Sequence, residues 1–190
     1  MTTWVDELEP GAPDIVAAWR GIEVGRTAEA RREVRRLAGH GTVERLVPQL
    51  ARLAEALTAF VEGLSEADLA RDGGEEDWNV AQAIGHACDA RASLSLAAAK
   101  AAAGNWPPNA PNVVTGVPGP ADADRETLLR KIVQSQRIVE RSARTVAGHE
   151  TAPCPLVHPL VGRLRCGEWL AFAGVHDLMH LDQLHTMMRR

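Results

Sequence analysis

The chain has 190 residues, 45% of them hydrophobic and 24% charged. That composition suits one globular domain able to bury a core without disulfide staples, and it excludes bulk disorder. A net charge of −4, from 25 acidic against 21 basic residues, supplies no global attraction for nucleic acid, and no run of apolar residues is long enough to predict a membrane span.

The first ten residues are acidic and lack a basic start followed by an apolar run, so no secretory signal is expected. Residues 13–19 and 27–37 can each form a short helix. The second is charged on nearly all sides (Glu29, Arg31, Arg32, Glu33, Arg35, Arg36) and reads as a solvated helix or an arm. Interleaved acidic residues make it a poor basic patch for nucleic acid.

Over residues 42–64 the apolar side chains Val43, Leu46, Val47, Leu50, Leu53, Leu57, Val61 and Leu64 recur with the helical period. Pro48 predicts either a kink or the effective first turn. Residues 71–77, with Gly73 and Gly74, read as a turn. Asn79 with Gln82 forms a capping-box pattern at the head of an alanine-rich helix that reaches residue 103, and Gly104 ends it.

Residues 105–121 hold five prolines and two glycines, which excludes helix and central strand. The stretch reads as an inserted surface excursion, with a functional lid as the alternative. Asp122 or Asp124 can cap a third helix running to about residue 146. Residues 149–165, with Pro153, Pro155 and Pro159, form a second connection, and a fourth helix starts near Gly167. No segment alternates with period two, so no strands are expected. The fold class is therefore all-α: a four-helix bundle over residues 42–190 with an N-terminal helical extension over residues 1–41.

The cysteines Cys88, Cys154 and Cys166 are odd in number and form no CxxC pair, which argues for a reducing compartment and hence the cytoplasm. There is no tyrosine, and lysine occurs only at Lys100 and Lys131, a bias that hints at GC-rich coding.

The fourth helix carries His176-Asp177-Leu178-Met179-His180. At about 100° per residue, histidines four apart share a face, the spacing that lets one metal meet two imidazoles. Trp169, Phe172, Ala173, Gln183 and Met187 fall on that same stripe, so both histidines face the core, whereas His185 falls opposite and is expected in solvent. Two core-facing imidazoles need partners, either a metal or a hydrogen bond from another helix. His86 is the third candidate ligand. Its neighbours along the second helix (Asn79, Ala83, Ala90, Ser93, Ala97) are all small and leave room for another helix or a cavity. A metalloprotease reading of His176-Asp177-x-x-His180 lacks the strands that precede such a helix, and Asp177 lies about 100° off the ligand stripe.

The other polar candidates have simpler readings. Cys88 lies about 160° from His86 around its helix. Cys166, at a helix start, has the position for a lowered pKa, although a structural thiol is the simpler reading for both. Glu168 suits the helix dipole, and Trp78 and Trp169 suit the core. Arg163 and Arg165 are candidates for holding a carboxylated substrate or are solvated loop arginines.

Trp78-Asn79 through His86 resembles the "W-S/N-x-x-x-x-x-x-H" start of helix two in the DinB/YfiT-like superfamily. His158-Pro159 with Gly162 and Leu164, then Glu168-Trp169-Leu170, His176, His180 and Gln183, resembles that family's "HP-x-x-G-x-L…EWL…H-x-x-x-H-x-x-Q" ending. The resemblance covers roughly residues 42–190; residues 1–40 and 105–121 depart from the pattern. It implies a four-helix bundle binding a divalent metal through three histidines, which map onto His86, His176 and His180. Some relatives transfer a low-molecular-weight thiol such as mycothiol or bacillithiol, or use it as cofactor in an isomerisation; many have no known activity.

The expected function is thus a metal-dependent transferase, with zinc or nickel as cofactor and a small-molecule thiol and an electrophile as partners. The arginine-over-lysine bias favours mycothiol. Gln183 is a candidate to hydrogen-bond a ligand imidazole or a metal-bound water. Neither nucleic acid nor membrane is an expected partner, and a homodimer is compatible with the sequence. The competing expectation is a non-enzymatic metal-binding or stress-response bundle.

Overall fold

The structure, a computed structural model, describes residues 3–23, 27–39, 41–72 and 78–189. The turn expected at Gly73 and Gly74 lies outside the described residues. The described residues are mostly helical. In chain order they form α1 (Trp4–Leu8), α2 (Pro13–Glu23), α3 (Thr27–Leu37), α4 (Thr42–Glu62), α5 (Glu66–Leu69), α6 (Val80–Ala102), α7 (Arg125–Val146), β1 (Pro153–His158), β2 (Gly162–Arg165) and α8 (Cys166–Arg189).

The helix starts follow capping chemistry. The Asn79 side chain accepts the Gln82 N–H (2.8 Å), and Gln82 Oε1 accepts the Asn79 N–H (3.1 Å), which closes the capping box of α6. Of the two candidate caps for α7, Asp124 is the one used: its Oδ1 accepts the Thr127 N–H at 2.8 Å. α4 runs from Thr42 straight through Pro48, so the proline lies inside the helix and does not mark its start.

The long helices share one core. α6 packs against α7 and α8, and α4 packs against the same two. α8 is buried on all sides from Cys166 to Asp177, not along a single stripe, because α2 and α3 cover its other face. Gly174 permits that approach: a Cβ there would sit 2.5 Å from Ile15 Cδ1 of α2. α3 is not the solvated arm expected from its charge. Its residues Ala30, Val34 and Leu37 are buried, and it packs on α2, α8 and β2.

The all-α expectation needs a correction. β1 and β2 pair as a short antiparallel hairpin, with Val157 opposite Arg163 and His158 opposite Gly162. Pro153 and Pro155 are tolerated because they sit exposed in a two-stranded ribbon, where a missing N–H interrupts no central ladder. The proline-rich stretch is tied to this hairpin: Val114 N–H donates to the Val157 carbonyl (2.9 Å), and Val157 N–H donates to the Asn112 carbonyl. No helix among the described residues is long and apolar enough to cross a membrane.

Candidate metal centre

α8 and α6 bring together the three histidines singled out in the sequence. The ligand nitrogens of His86, His176 and His180 lie within 4.8 Å of one another. Their ring centroids are 4.5 Å apart for His176–His180, 4.7 Å for His86–His180 and 5.5 Å for His86–His176. The one-turn spacing on α8 stacks two rings on the same face, and α6 supplies the third from its second turn.

Each ring is held differently. His86 Nδ1–H donates to the carbonyl oxygen of Val117 at 2.8 Å, since a carbonyl can only accept. His180 Nδ1 is 2.8 Å from Gln183 Oε1, one turn further along α8. Both contacts put the proton on Nδ1 and leave Nε2 with a free lone pair, the tautomer a metal ligand needs. His176 is 7% exposed, and its Nδ1 is buried without a hydrogen-bond partner. A buried imidazole nitrogen left without a partner is costly unless a ligand satisfies it.

The electrostatics favour neutral rings. Burial, reinforced by the neighbouring His180, His86 and His158, holds His176 well below the ordinary histidine range. Burial pushes His180 down to about 4; the Gln183 hydrogen bond works against that and His86 works with it. At neutral pH both are therefore unprotonated and competent to bind a metal. Three imidazole nitrogens this close can converge on one divalent ion at about 2.0–2.1 Å each. The residues present fit such an ion, with neither carboxylate nor thiolate in the set.

The histidines open into a cavity of about 780 Å³ walled by α6, the 105–121 stretch, the hairpin turn and α8. The small side chains Ala90, Ser93 and Ala97 along α6 make the room, so the stripe of small residues serves a cavity and not a helix crossing. Trp78, Leu94, Trp106, Leu160 and Met179 give it an apolar wall. The 105–121 stretch is part of this wall and not a surface excursion. It seats on α6 by a glycine–glycine approach: a Cβ on Gly119 would lie 2.6 Å from Gly85 Cα, and Gly119 N–H donates to the Gln82 carbonyl at 3.0 Å.

His158 is a cavity residue whose role the sequence reading did not identify. Its ring lies 6.2 Å from that of His176 and 4.8 Å from Phe172. Its Nδ1 accepts the Leu160 N–H at 3.0 Å, so the neutral ring carries its proton on Nε2. The histidine of the His158-Pro159 pair was the available signal.

Other candidates lie elsewhere. His185 is not in solvent: it is half-buried, stacked on Trp4 (4.9 Å, 24°) with Phe60 edge-on at 5.0 Å. α1 supplies Trp4 and covers that face of α8. Asp177 turns away from the histidines to a buried ion pair with Arg91, Nε to Oδ2 3.1 Å. Cys88 and Cys166 are both buried, and burial pushes each thiol up to about 12. The lowered pKa considered for Cys166 is thus overturned, because desolvation outweighs the helix start. Glu168 accepts the Arg165 N–H at 2.7 Å, and Trp169 is fully buried.

The sequence model of one family, described as the DinB superfamily, matches residues 49–184, a span that holds all three histidines and Gln183. No curated protein matches the chain.

Proposed function

Because the chain belongs to the DinB superfamily, we propose that it is a divalent-metal-dependent transferase. In this reading His86, His176 and His180 would hold zinc or nickel, and a low-molecular-weight thiol of the mycothiol type attacks a carbon of an organic electrophile: the C–S bond forms, the electrophile's leaving group departs with its bonding pair, and the thiol's proton goes to solvent. The reading takes α4, α6, α7 and α8 as a four-helix bundle over residues 42–190, with residues 1–41 as an added helical layer. It assigns the protein to the cytoplasm, where its three unpaired cysteines stay reduced.

The observation that carries the proposal is a three-imidazole set at the wall of an apolar cavity large enough for a small organic molecule. A purely structural site closes with four protein ligands, whereas three leave a position for substrate. When bound, a divalent ion held by neutral imidazoles lets a coordinating thiol lose its proton near neutral pH. The chain's own residues do the rest. Val117 and Gln183 hold His86 and His180 in the ligand tautomer. Trp78, Trp106 and Leu94 exclude water and offer an apolar wall to the electrophile. His158 presents its Nε2–H as a donor for charge that develops on the electrophile. No cysteine lines the cavity, and two of the thiols are pushed up to about 12, so the nucleophile comes with the substrate.

The test is a panel of mycothiol, bacillithiol, glutathione and coenzyme A against monochlorobimane. The metallated protein is expected to accelerate one thiol, with the rate lost in His176→Ala and kept in Cys88→Ser and Cys166→Ser. A folded, fully metallated protein silent across the panel would favour the non-enzymatic bundle instead.

A further inference from the structure

A second pocket, of about 420 Å³, lies at the open end of the β-hairpin and shares no lining residue with the histidine cavity. Four arginines line it: Arg31 and Arg35 from α3, and Arg163 and Arg165 from β2. Each element delivers its pair by its own period. Positions i and i+4 share a helix face, and positions i and i+2 share a strand face. Between them Val34 and Leu164 are buried in the core.

The charges are not balanced within the pocket. Among the described residues its one ion pair is Arg35 Nε with Glu168 Oε1 at 3.6 Å, and the other oxygen of that carboxylate already accepts the Arg165 N–H. Arg31 Nη2 donates to the Arg163 carbonyl at 3.2 Å, while its Nε is buried with no hydrogen-bond partner. Like charges set face to face repel, and a buried N–H without an acceptor costs stability. Both costs disappear if a multivalent oxyanion sits between α3 and β2.

We propose that Arg31, Arg35, Arg163 and Arg165 bind the phosphate or diphosphate group of a phosphorylated small molecule. Guanidinium forks match phosphate oxygens bidentately. Four of them against one carboxylate call for more than the single charge of a carboxylate ligand. The site is a bounded pocket on a chain of net charge −4, which suits a small molecule and not a nucleic-acid backbone. Two of its four arginines, Arg31 and Arg35, come from α3, outside residues 49–184, so the site is completed by the N-terminal layer and is not contained within the family-matched span. The hairpin links the two sites: Arg163 pairs with Val157, next to His158 of the metal cavity.

The test is calorimetric titration of inorganic pyrophosphate into the metallated 190-residue chain at low ionic strength, with inorganic phosphate and acetate alongside. Pyrophosphate is expected to bind tightest and acetate at least about tenfold more weakly. Arg163→Gln and Arg165→Gln, both at exposed positions, are expected to weaken pyrophosphate by about tenfold or more each, and Arg31→Gln likewise. Arg144→Gln on α7 is expected to leave it unchanged. No binding by the wild type, binding indifferent to Arg163 and Arg165, or binding lost in His176→Ala (which would direct the anion to the metal) would each overturn the proposal. None of these results bears on the thiol reaction.

Discussion

His86 Nδ1 lies 2.8 Å from the carbonyl oxygen of Val117, 31 residues away in the chain. A backbone atom of the proline-rich stretch therefore sets the tautomer and orientation of a candidate metal ligand. The stretch is a structural partner of the site, anchored where Gly119 meets Gly85, the residue immediately before His86, and donates its N–H to the Gln82 carbonyl one turn earlier.

Removing that partner has a defined consequence. Replacing residues 105–121 by a Gly/Ser linker of the same length is expected to leave the fold intact, because the linker still spans the length of α6 from Ala102 back to Asn79, where the stretch now ends on the Asn79 side chain. Metal affinity is expected to fall about 10–100-fold, the usual effect of losing a hydrogen bond to a ligand imidazole. Gly119→Ala is expected to act in the same direction, since its Cβ would clash with Gly85 Cα. Competition with a chromogenic chelator measures both; unchanged affinity in the two variants would return the stretch to a surface excursion.

The buried Arg91–Asp177 pair makes a stability prediction. Arg91 Nη2 also donates to the Leu50 carbonyl and to Gln136 Oε1, each at 3.0 Å, so one side chain ties α6 to α4, α7 and α8. Arg91→Met strands the Asp177 carboxylate and is expected to cost about 3–5 kcal/mol in urea unfolding. Arg91→Met with Asp177→Leu is expected to recover part of that loss. A double variant as unstable as the single one would show that the cost is packing and not the unpaired charge.

Much of this architecture is legible in the sequence. The helical periods, the Asn79 capping box and the two histidines on one face of α8 are local facts of 3.6 residues per turn, and local chemistry realised them. What failed depends on what lies across from a residue. The helical wheel sends His185 away from the ligand face correctly, but cannot know that Trp4 of α1 waits there. The charge pattern of α3 hides Ala30, Val34 and Leu37, whose narrow stripe is enough to dock on α8. The hairpin escapes because Pro153 and Pro155 occupy the exposed positions of β1, although Cys154 and Leu156 do alternate inward. The role of His158 rests on that missed hairpin, whose turn carries it to the cavity.

Acid is expected to destabilise the metal-free protein. His180 is pushed down to about 4 and His176 lies well below its ordinary range, both chiefly by burial. Unfolded histidines titrate near about 6.5. Below that pH the unfolded chain takes up protons that the folded chain refuses, so stability falls as pH falls toward 4. Asp177 works the other way. Burial raises its carboxyl to about 6 from 3.8, so the folded chain holds a proton there first. Burial lowers His158 and His185 too, so four histidines against one carboxylate set the net sign: Tm is expected to drop between pH 7 and pH 4.5, less steeply in His176→Ala. A flat or rising profile on acidification would contradict neutral, buried ligand rings.

The central claim is that His86, His176 and His180 hold one ion, and metal content tests it most directly. Protein purified without a nickel column, loaded with zinc or nickel and desalted, is expected to carry about one ion per chain by elemental analysis. His86→Ala, His176→Ala and His180→Ala are expected to lose it. His185→Ala is expected to keep it while losing about 0.5–1.5 kcal/mol of stability with its aromatic stack. Equal metal content in His176→Ala and His185→Ala, or a wild type that retains no ion, would contradict the account.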